Sequence, residues 1–118
     1  MQRVVLKSKI HRASVTRANL EYAGSCAIGS ELLRAADIIA GEQVHIVNVT
    51  NGSRAVTYAI EGEPGEIGLN GAMAHIGSTG DIVIVIAYAM LDDDELRSFS
   101  PRIVHVDAQN RIREAAAV

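Results

Sequence analysis

Two β-favouring runs flank the dipeptide Asn51-Gly52, and this arrangement constrains the fold more than any other feature of the chain. Residues 44–50 and 54–60 are both rich in residues that favour β-strands. Asn-Gly readily adopts the left-handed backbone that a tight turn between antiparallel strands requires. The sequence therefore predicts a β-hairpin near the middle of the chain.

The other segments supply more short strands and little helix. Ser30 opens a predicted helix with an apolar stripe, and Gly41 lies beyond its end. The remaining predictions are one or two strands in 4–16, a loop at 61–68, a strand buried on both sides at 82–89, a helical turn at 92–99, a last strand at 101–107 and a frayed end at 111–118. Many short strands with one or two helices are typical of a small closed or nearly closed β-barrel.

Length and composition indicate one small domain without a disulfide. A chain of 118 residues is the usual size of a single domain, and its thin core favours self-association. Aromatic residues make up 3%, so Val, Ile, Leu and Ala must form the core, and an aromatic RNA-stacking platform is not expected. Cys26 has no partner for an internal disulfide, and the longest apolar run, 82–91, is too short to cross a bilayer. We expect a cytoplasmic protein that is not embedded in a membrane.

The charge is unevenly distributed although the net charge is only -3. Glu21 is the first acidic residue, and the basic residues before it are Arg3, Lys7, Lys9, Arg12 and Arg17. Such an arm could bind nucleic acid, collect a small dianion or simply be solvated. Strand alternation would place Lys7, Lys9 and His11 on one face.

Several kinds of site lack the residue spacing that they need. The histidines His11, His45, His75 and His105 are far apart and have no cysteine or carboxylate at ligand spacing, so no metal site is predicted. The glycine-rich stretches match no dinucleotide or P-loop pattern. A hydrolase triad built on His75 and Asp81 has no support from the spacing.

Self-cleavage is possible in principle where a serine follows a glycine. The Ser25 hydroxyl could attack the Gly24 carbonyl through a five-membered ring and exchange an amide for an ester; elimination and hydrolysis would then leave an N-terminal pyruvoyl group and ammonia. Glycine would make a strained scissile bond accessible. Gly-Ser also occurs at 29–30, 52–53 and 77–78, however, so the dipeptide alone is weak support and each copy could be only a turn.

A set of short blocks in register is more specific than this dipeptide. The blocks are residues 9–12, 15–16, 22–28, 49–54, 57–60, 70–72 and 80–84, with sequences KIHR, VT, YAGSCAI, VTNGSR, TYAI, NGA and GDIVI. In order and spacing they resemble the pyruvoyl-dependent aspartate 1-decarboxylases over residues 1 to about 107. The resemblance implies a six-stranded double-psi β-barrel with one or two short helices, assembled as a homotetramer with active sites between subunits.

The resemblance also implies a chemistry. The single domain, 1–118, would cut itself into a β chain, 1–24, and an α chain, 25–118, whose pyruvoyl group is made from Ser25. That group would form a Schiff base with L-aspartate and accept the electrons released by decarboxylation, giving β-alanine and CO2 for pantothenate and coenzyme A biosynthesis. Neither a metal nor pyridoxal phosphate is implied.

Particular residues acquire roles by the same resemblance. Tyr58 would donate a proton to the substrate, and Arg54 and Lys9 would hold its two carboxylates. Thr57 would contact substrate and polarise the Gly24 carbonyl. Substrate contacts are also implied for Gly71, Ala72 and Met73, with supporting positions at His11, Tyr22 and Asn70.

Two of these positions raise structural questions. Thr57 and Tyr58 are adjacent on a strand and should point to opposite faces, so both can serve one site only at a strand edge or between subunits. Met73 stands where the family usually has a small residue, which implies contact through its backbone.

Two alternatives stay open at this point. One is a non-catalytic barrel that binds nucleic acid through its basic arm and keeps its chain intact. The other is a pyruvoyl-dependent decarboxylase for a different amino acid, because Arg54 with Lys9 indicates a dicarboxylate without distinguishing aspartate from glutamate.

Overall fold

The computed structural model describes the backbone of residues 1–117 and the side chains of residues 1–113. About half of the chain is strand (51%), and there are two short α-helices, which confirms the mainly β prediction. The elements are β1 Gln2–Ser14, β2 Arg17–Asn19, β3 Ser25–Gly29, α1 Ser30–Ala36, β4 Gln43–Asn48, β5 Arg54–Gly62, β6 Ile67–Asn70, a 3-10 helix Gly71–His75, β7 Ile82–Asp92, α2 Asp93–Leu96, β8 Arg102–Val106 and β9 Ile112–Ala117.

All nine strands belong to one hydrogen-bonded order, β2-β6-β3-β5-β4-β7-β1-β8-β9. The predicted hairpin is confirmed: β4 and β5 pair antiparallel, with Gln43 opposite Tyr58 and Val47 opposite Arg54. Gly52 adopts a φ of 79° in the connecting turn, as the Asn-Gly pattern requires. The pairs β3–β5, β1–β8 and β2–β6 are parallel, so the sheet cannot be a simple succession of hairpins.

One strand was not predicted, and a predicted loop and a predicted frayed end are partly wrong, because these segments find distant partners. β3 was not predicted, because its five residues are buried at every position and show no alternation. β6 takes the last part of the predicted loop at 61–68 and pairs with β3. β9 occupies the predicted frayed end and pairs antiparallel with β8, so 101–107 is not the last strand. Local sequence could not indicate these long-range pairings.

Two further predictions need correction in detail. The segment 82–89 lies in β7, but only the face of Val83, Val85 and Ala87 is fully buried; the opposite face is partly exposed. Gly29 rather than Ser30 is the N-cap of α1, and no side-chain hydrogen bond caps that end. The helix ends before Asp37, which takes the left-handed conformation expected further on at Gly41.

The core is aliphatic, as the scarcity of aromatic residues predicts. Its largest fully buried side chains come from most of the strands and from α1, and include Ile10, Ile28, Leu32, Ile46, Ile67, Leu69, Val44, Val83, Val85 and Val104. Branched side chains pack closely on pleated sheet faces, and their burial is the main stabilising term for so small a chain.

The long first strand is irregular. The β1–β7 register shifts between Leu6 and Ser8, which interrupts strict alternation at Lys7. Lys7 forms an ion pair of 2.8 Å with Glu42. No helix within the described residues is long and apolar enough to cross a membrane.

Candidate active site

Ser25 is the first residue of β3, and its side chain is held in place. The residue is 1% exposed. Its Oγ donates a hydrogen bond to the carbonyl of Ala23 at 3.1 Å and accepts one from Nδ2 of Asn70 at 3.1 Å. The first bond folds the hydroxyl back over Gly24, and the second fixes it from β6, since Ser25 and Asn70 are register partners. The hydroxyl is thus held between the Ala23 carbonyl and the Asn70 amide, next to the Gly24–Ser25 bond.

The segment before Ser25 is exposed, and Gly71 supports it from one side. Residues 20–24 are exposed, whereas Ser25 and Gly71 are buried. Gly71 has a φ of 62°, and a Cβ there would lie 2.7 Å from Cα of Gly24 and 3.0 Å from the Tyr22 carbonyl. Only glycine permits this backbone and this close approach. Gly24 itself has no left-handed φ, and a Cβ there would meet open space, so the strained glycine expected at 24 lies at 71 instead.

Tyr58 lies on the strand next to Ser25. β3 and β5 run parallel, with Cys26 opposite Ala59. Ser25 and Tyr58 each come one residue before this pair, so they also lie opposite each other. Strand alternation places both on the same face of this pair, and Tyr58 is 42% exposed. Thr57 is half-buried on the other face, as the alternation predicted. The structure therefore brings Tyr58 to Ser25 but turns Thr57 away.

Arg54 shares the exposed face of β5 with Tyr58. Its Nη2 lies 3.5 Å from the Tyr88 hydroxyl, a long and weak hydrogen bond, and no carboxylate among the described side chains pairs with it. The ring of His45 contacts Tyr88 edge to face at 5.0 Å between centroids. Arg54 is thus available to bind an anion at the sheet surface.

Lys9 is not brought to the other predicted substrate anchors within one chain. It pairs with Ile86 of β7, and both β7 and β4 lie between its strand and β5. Adjacent strands are about 4.8 Å apart, so Lys9 is three strand spacings from the strand of Arg54 and Tyr58. Lys9 and Arg54 therefore lie apart on the sheet of a single chain.

Predicted supporting residues occupy different places. His11 lies beyond Lys9 on β1 and contacts His105, with ring centroids 5.6 Å apart. Tyr22 is exposed in the segment before Ser25, and the guanidinium of Arg17 lies 5.9 Å from its ring centroid. Asn70 is more central than predicted, because it contacts Ser25 directly.

The turn after Asn70 resolves the question about Met73. Ala72 is exposed, but the Met73 side chain is 6% exposed and packs in the hydrophobic core. It does not project toward solvent where a substrate would arrive. A substrate contact by Met73 stays a prediction, and the burial of its side chain favours a contact through the backbone.

The cavities of the single chain lie elsewhere. A groove of about 860 Å³ runs past Arg17, Tyr22 and Glu61, and two smaller cavities of about 420 Å³ lie near Gln109 and near His105. Ser25, Arg54, Tyr58 and Lys9 line none of these three. No group of three metal-ligating side chains is found within the described residues.

Two charged or polar groups near the site went unnoticed in the sequence. Tyr88 and His45 contact each other beside Arg54, and Tyr88 belongs to an otherwise apolar run. The sequence did contain a signal for Tyr88: it is a single phenol in an apolar run, at a position that alternation places on the outward face of the strand.

The Cys26 thiol follows Ser25 in the chain. Burial, with a smaller effect from Glu66, raises the pKa of this thiol to about 12, so it is not a nucleophile here.

Fold and site together define a small, mainly β protein with an immobilised serine hydroxyl at a strand start and a tyrosine and an arginine on the adjoining sheet face. Residues 1–113 match the family model described as Aspartate decarboxylase. A curated aspartate 1-decarboxylase from Mycolicibacterium smegmatis is 55% identical over 114 residues, covering 95% of this chain and 84% of the relative. The chain belongs to the aspartate decarboxylase family. These comparisons give no support to nucleic-acid binding or to a different amino acid substrate.

Proposed function

We propose that this protein converts L-aspartate to β-alanine and CO2 after cutting its own chain between Gly24 and Ser25. The observation that carries the proposal is the buried Ser25 hydroxyl, held by Asn70 and folded back over Gly24. The relative that is 55% identical bears the name of this enzyme. We also propose a cytoplasmic location and a role in pantothenate and coenzyme A synthesis, both supported by the family membership.

The self-cleavage balances without an added oxidant or reductant. Ser25 Oγ forms a bond to the Gly24 carbonyl carbon while the amide C–N bond breaks, and the hydroxyl proton passes to the freed nitrogen. Loss of the Ser25 Cα proton then expels the Gly24 carboxylate and leaves a dehydroalanine. One water enters and one ammonia leaves, so 25–118 begins with a pyruvoyl group and 1–24 ends with a carboxylate.

Asn70 is the residue best placed to assist this cleavage. Its Nδ2 already donates to Ser25 Oγ, and its Oδ1 is buried with no hydrogen-bond partner among the described atoms. A buried polar atom without a partner is costly, so the amide is held here for a purpose other than stability. Thr57 and Tyr58 point to opposite faces of β5. To polarise the Gly24 carbonyl, the Thr57 side chain must therefore reach it from the end of the strand.

The surroundings of Ser25 fit a pyruvoyl group. A keto oxygen is a hydrogen-bond acceptor, and the Asn70 amide that now donates to Oγ could donate to it. The group, when present, supplies a carbonyl that accepts the electron pair released as CO2 leaves. Tyr58, on the neighbouring strand and partly exposed, would then deliver a proton to the substrate Cα, since its hydroxyl is a hydrogen-bond donor.

Substrate binding requires two cations for two carboxylates. Arg54 presents paired donors that match a planar carboxylate, and its exposed guanidinium has no acidic partner among the described side chains. Lys9 would supply the second charge from a neighbouring subunit, because β7 and β4 separate it from β5 in the same chain. Backbone groups of Gly71, Ala72 and Met73 would complete the site. We therefore propose a homotetramer with active sites at its subunit interfaces.

An intact mass spectrum of the purified protein tests this function. We expect two fragments, with the larger one lighter than a serine-terminated chain by one ammonia. Borohydride with L-aspartate should trap a substrate adduct on that fragment. Ser25→Ala should give one uncut and inactive chain.

Tyr58→Phe is the matched variant. It should still cleave, because the phenol is not needed for cutting, but decarboxylation should fall by about 10²–10⁴-fold. Full activity in an uncut Ser25→Ala chain would refute the whole proposal, whereas a fully active Tyr58→Phe would refute only the proton-donor role.

A further inference from the structure

A second irregularity in β1 lies at His11 and Arg12. The pairing with β7 passes from Ile10–Val85 to Ala13–Val83, so two residues of β1 stand opposite one residue of β7. Arg12 has a φ of 59°, a left-handed conformation that residues other than glycine rarely adopt. Bulges redirect side chains, and such backbone strain is concentrated at ligand sites.

The redirected side chains line a cavity of about 420 Å³, within the range of small-molecule pockets. β8 and the turn that follows it form the opposite wall. The polar residues that line the cavity are His11, Arg12, Ser14, His105, Asp107 and Arg113.

The two guanidinium groups of this cavity, those of Arg12 and Arg113, form no ion pair with a described carboxylate. Asp107 is committed to its own turn: it accepts backbone N–H groups of Gln109 and Arg111 at 2.9 Å and the Arg111 Nε at 3.1 Å. Two guanidinium groups and two imidazoles therefore share the cavity with one described carboxylate, Asp107, whose oxygens bond to its own turn rather than to Arg12 or Arg113.

The pKa of His11 responds to this charge. Burial lowers it, and the positive charges of His105, Lys9 and Arg12 lower it further. A bound anion would offset the mutual repulsion of these groups and give the guanidinium donors an acceptor.

We propose that the cavity binds a small oxyanion, phosphate or carboxylate, through Arg12, Arg113 and the two imidazoles. This site lies beyond the proposed decarboxylase function, because it includes none of Ser25, Tyr58, Arg54 and Lys9 and shares with that function only the supporting position His11. Donors converge on it from three elements: Arg12 from the β1 bulge, His105 from β8 and Arg113 from β9.

Isothermal titration of the purified protein with inorganic phosphate and, separately, with succinate in low-salt buffer tests the proposal. At least one of the two should bind. Arg12→Asn preserves the left-handed backbone, which Asn tolerates, and Arg113→Gln preserves length; each should weaken binding about tenfold or more, the usual effect of losing one charge-assisted hydrogen bond. Arg97→Gln removes an equal charge from an exposed position outside the cavity and should leave binding unchanged.

Three results would overturn the proposal. The first is that neither anion binds, and the second is that Arg12→Asn and Arg113→Gln bind with wild-type affinity. The third is that Arg97→Gln loses as much affinity as those two variants. His105→Gln provides a milder variant should either arginine variant melt early. Uncut Ser25→Ala and substrate-site Arg54→Gln should both retain phosphate binding. If succinate binding disappears in Arg54→Gln, succinate binds at the substrate site, and this result counts against the cavity. Loss of aspartate turnover in the same variant tests only the proposed decarboxylase function.

Discussion

Gly71→Ala is the substitution whose effect the structure defines most sharply. The new Cβ would lie 2.7 Å from Cα of Gly24 and 2.8 Å from its nitrogen, whereas ordinary contacts begin at 3.4 Å. The segment that carries the Gly24 carbonyl must therefore retreat by about 0.7 Å, while Ser25 stays anchored in β3. Displacements of about 1 Å in a reacting pair can cost about 10²-fold in rate, so self-cleavage should slow by one to two orders of magnitude.

Gly41→Ala is the matched control for this change. Gly41 also has a left-handed backbone, with φ 88°, but a Cβ there meets open space. Both variants should lose about 1–2 kcal/mol of stability from the backbone strain. Only Gly71→Ala should accumulate the uncut precursor.

The assay is a time course of intact mass on freshly purified precursor, with the melting temperature recorded for each variant. Cleavage of Gly71→Ala at the rate of Gly41→Ala would show that the contact with Gly24 does not position the scissile bond.

Three further predictions concern the core and the buried polar groups, with unfolding measured on the uncut Ser25→Ala chain so that one species unfolds. Met73→Ala should lower the free energy of unfolding in urea by about 2–5 kcal/mol, because the side chain packs in the core. The KM for aspartate should be unchanged in the mature enzyme. A lower KM without loss of stability would place the Met73 side chain in the substrate pocket. The Cys26 thiol should resist iodoacetamide at pH 8 in the folded protein and react after denaturation, since its pKa is raised to about 12; rapid labelling of native protein would contradict its burial. Hydrogen bonds from Asn48 and from the Ser78 backbone N–H lower the pKa of Asp81 below 3.8. The stability that the ionised carboxylate contributes is therefore present above that pH and is lost as the pH falls through the lowered pKa. Asp81→Asn should make the free energy of unfolding depend less on pH below about 4, and an unchanged pH dependence in this variant would refute the linkage.

The central hairpin shows what local sequence can predict well. Asn51-Gly52 supplies a turn conformation that few other dipeptides adopt, and the flanking runs are rich in strand-favouring residues, so the pattern and the fold agree. β3 and β9 show the opposite case. One is buried at every position and the other completes its pairing only with β8, so neither has a local signal.

The candidate site divides in the same way. Blocks in register identified Ser25, Tyr58 and Arg54, and the structure places Tyr58 beside Ser25 through a parallel pairing of β3 with β5 that no local pattern predicted. The role of Gly71 in supporting the scissile segment was not predicted, because it depends on a contact between residues 47 positions apart in the chain.

The sequence by itself determined the secondary-structure class, the aliphatic core and the residue types available for chemistry, because these depend on local propensity and side-chain identity. The tertiary structure decided which of those residues meet. It turned Met73 into the core, separated Lys9 from Arg54 by two intervening strands, and brought His11 and His105 together at a bulge. Strand order and bulges set these distances, and both arise from hydrogen bonding between segments remote in the chain.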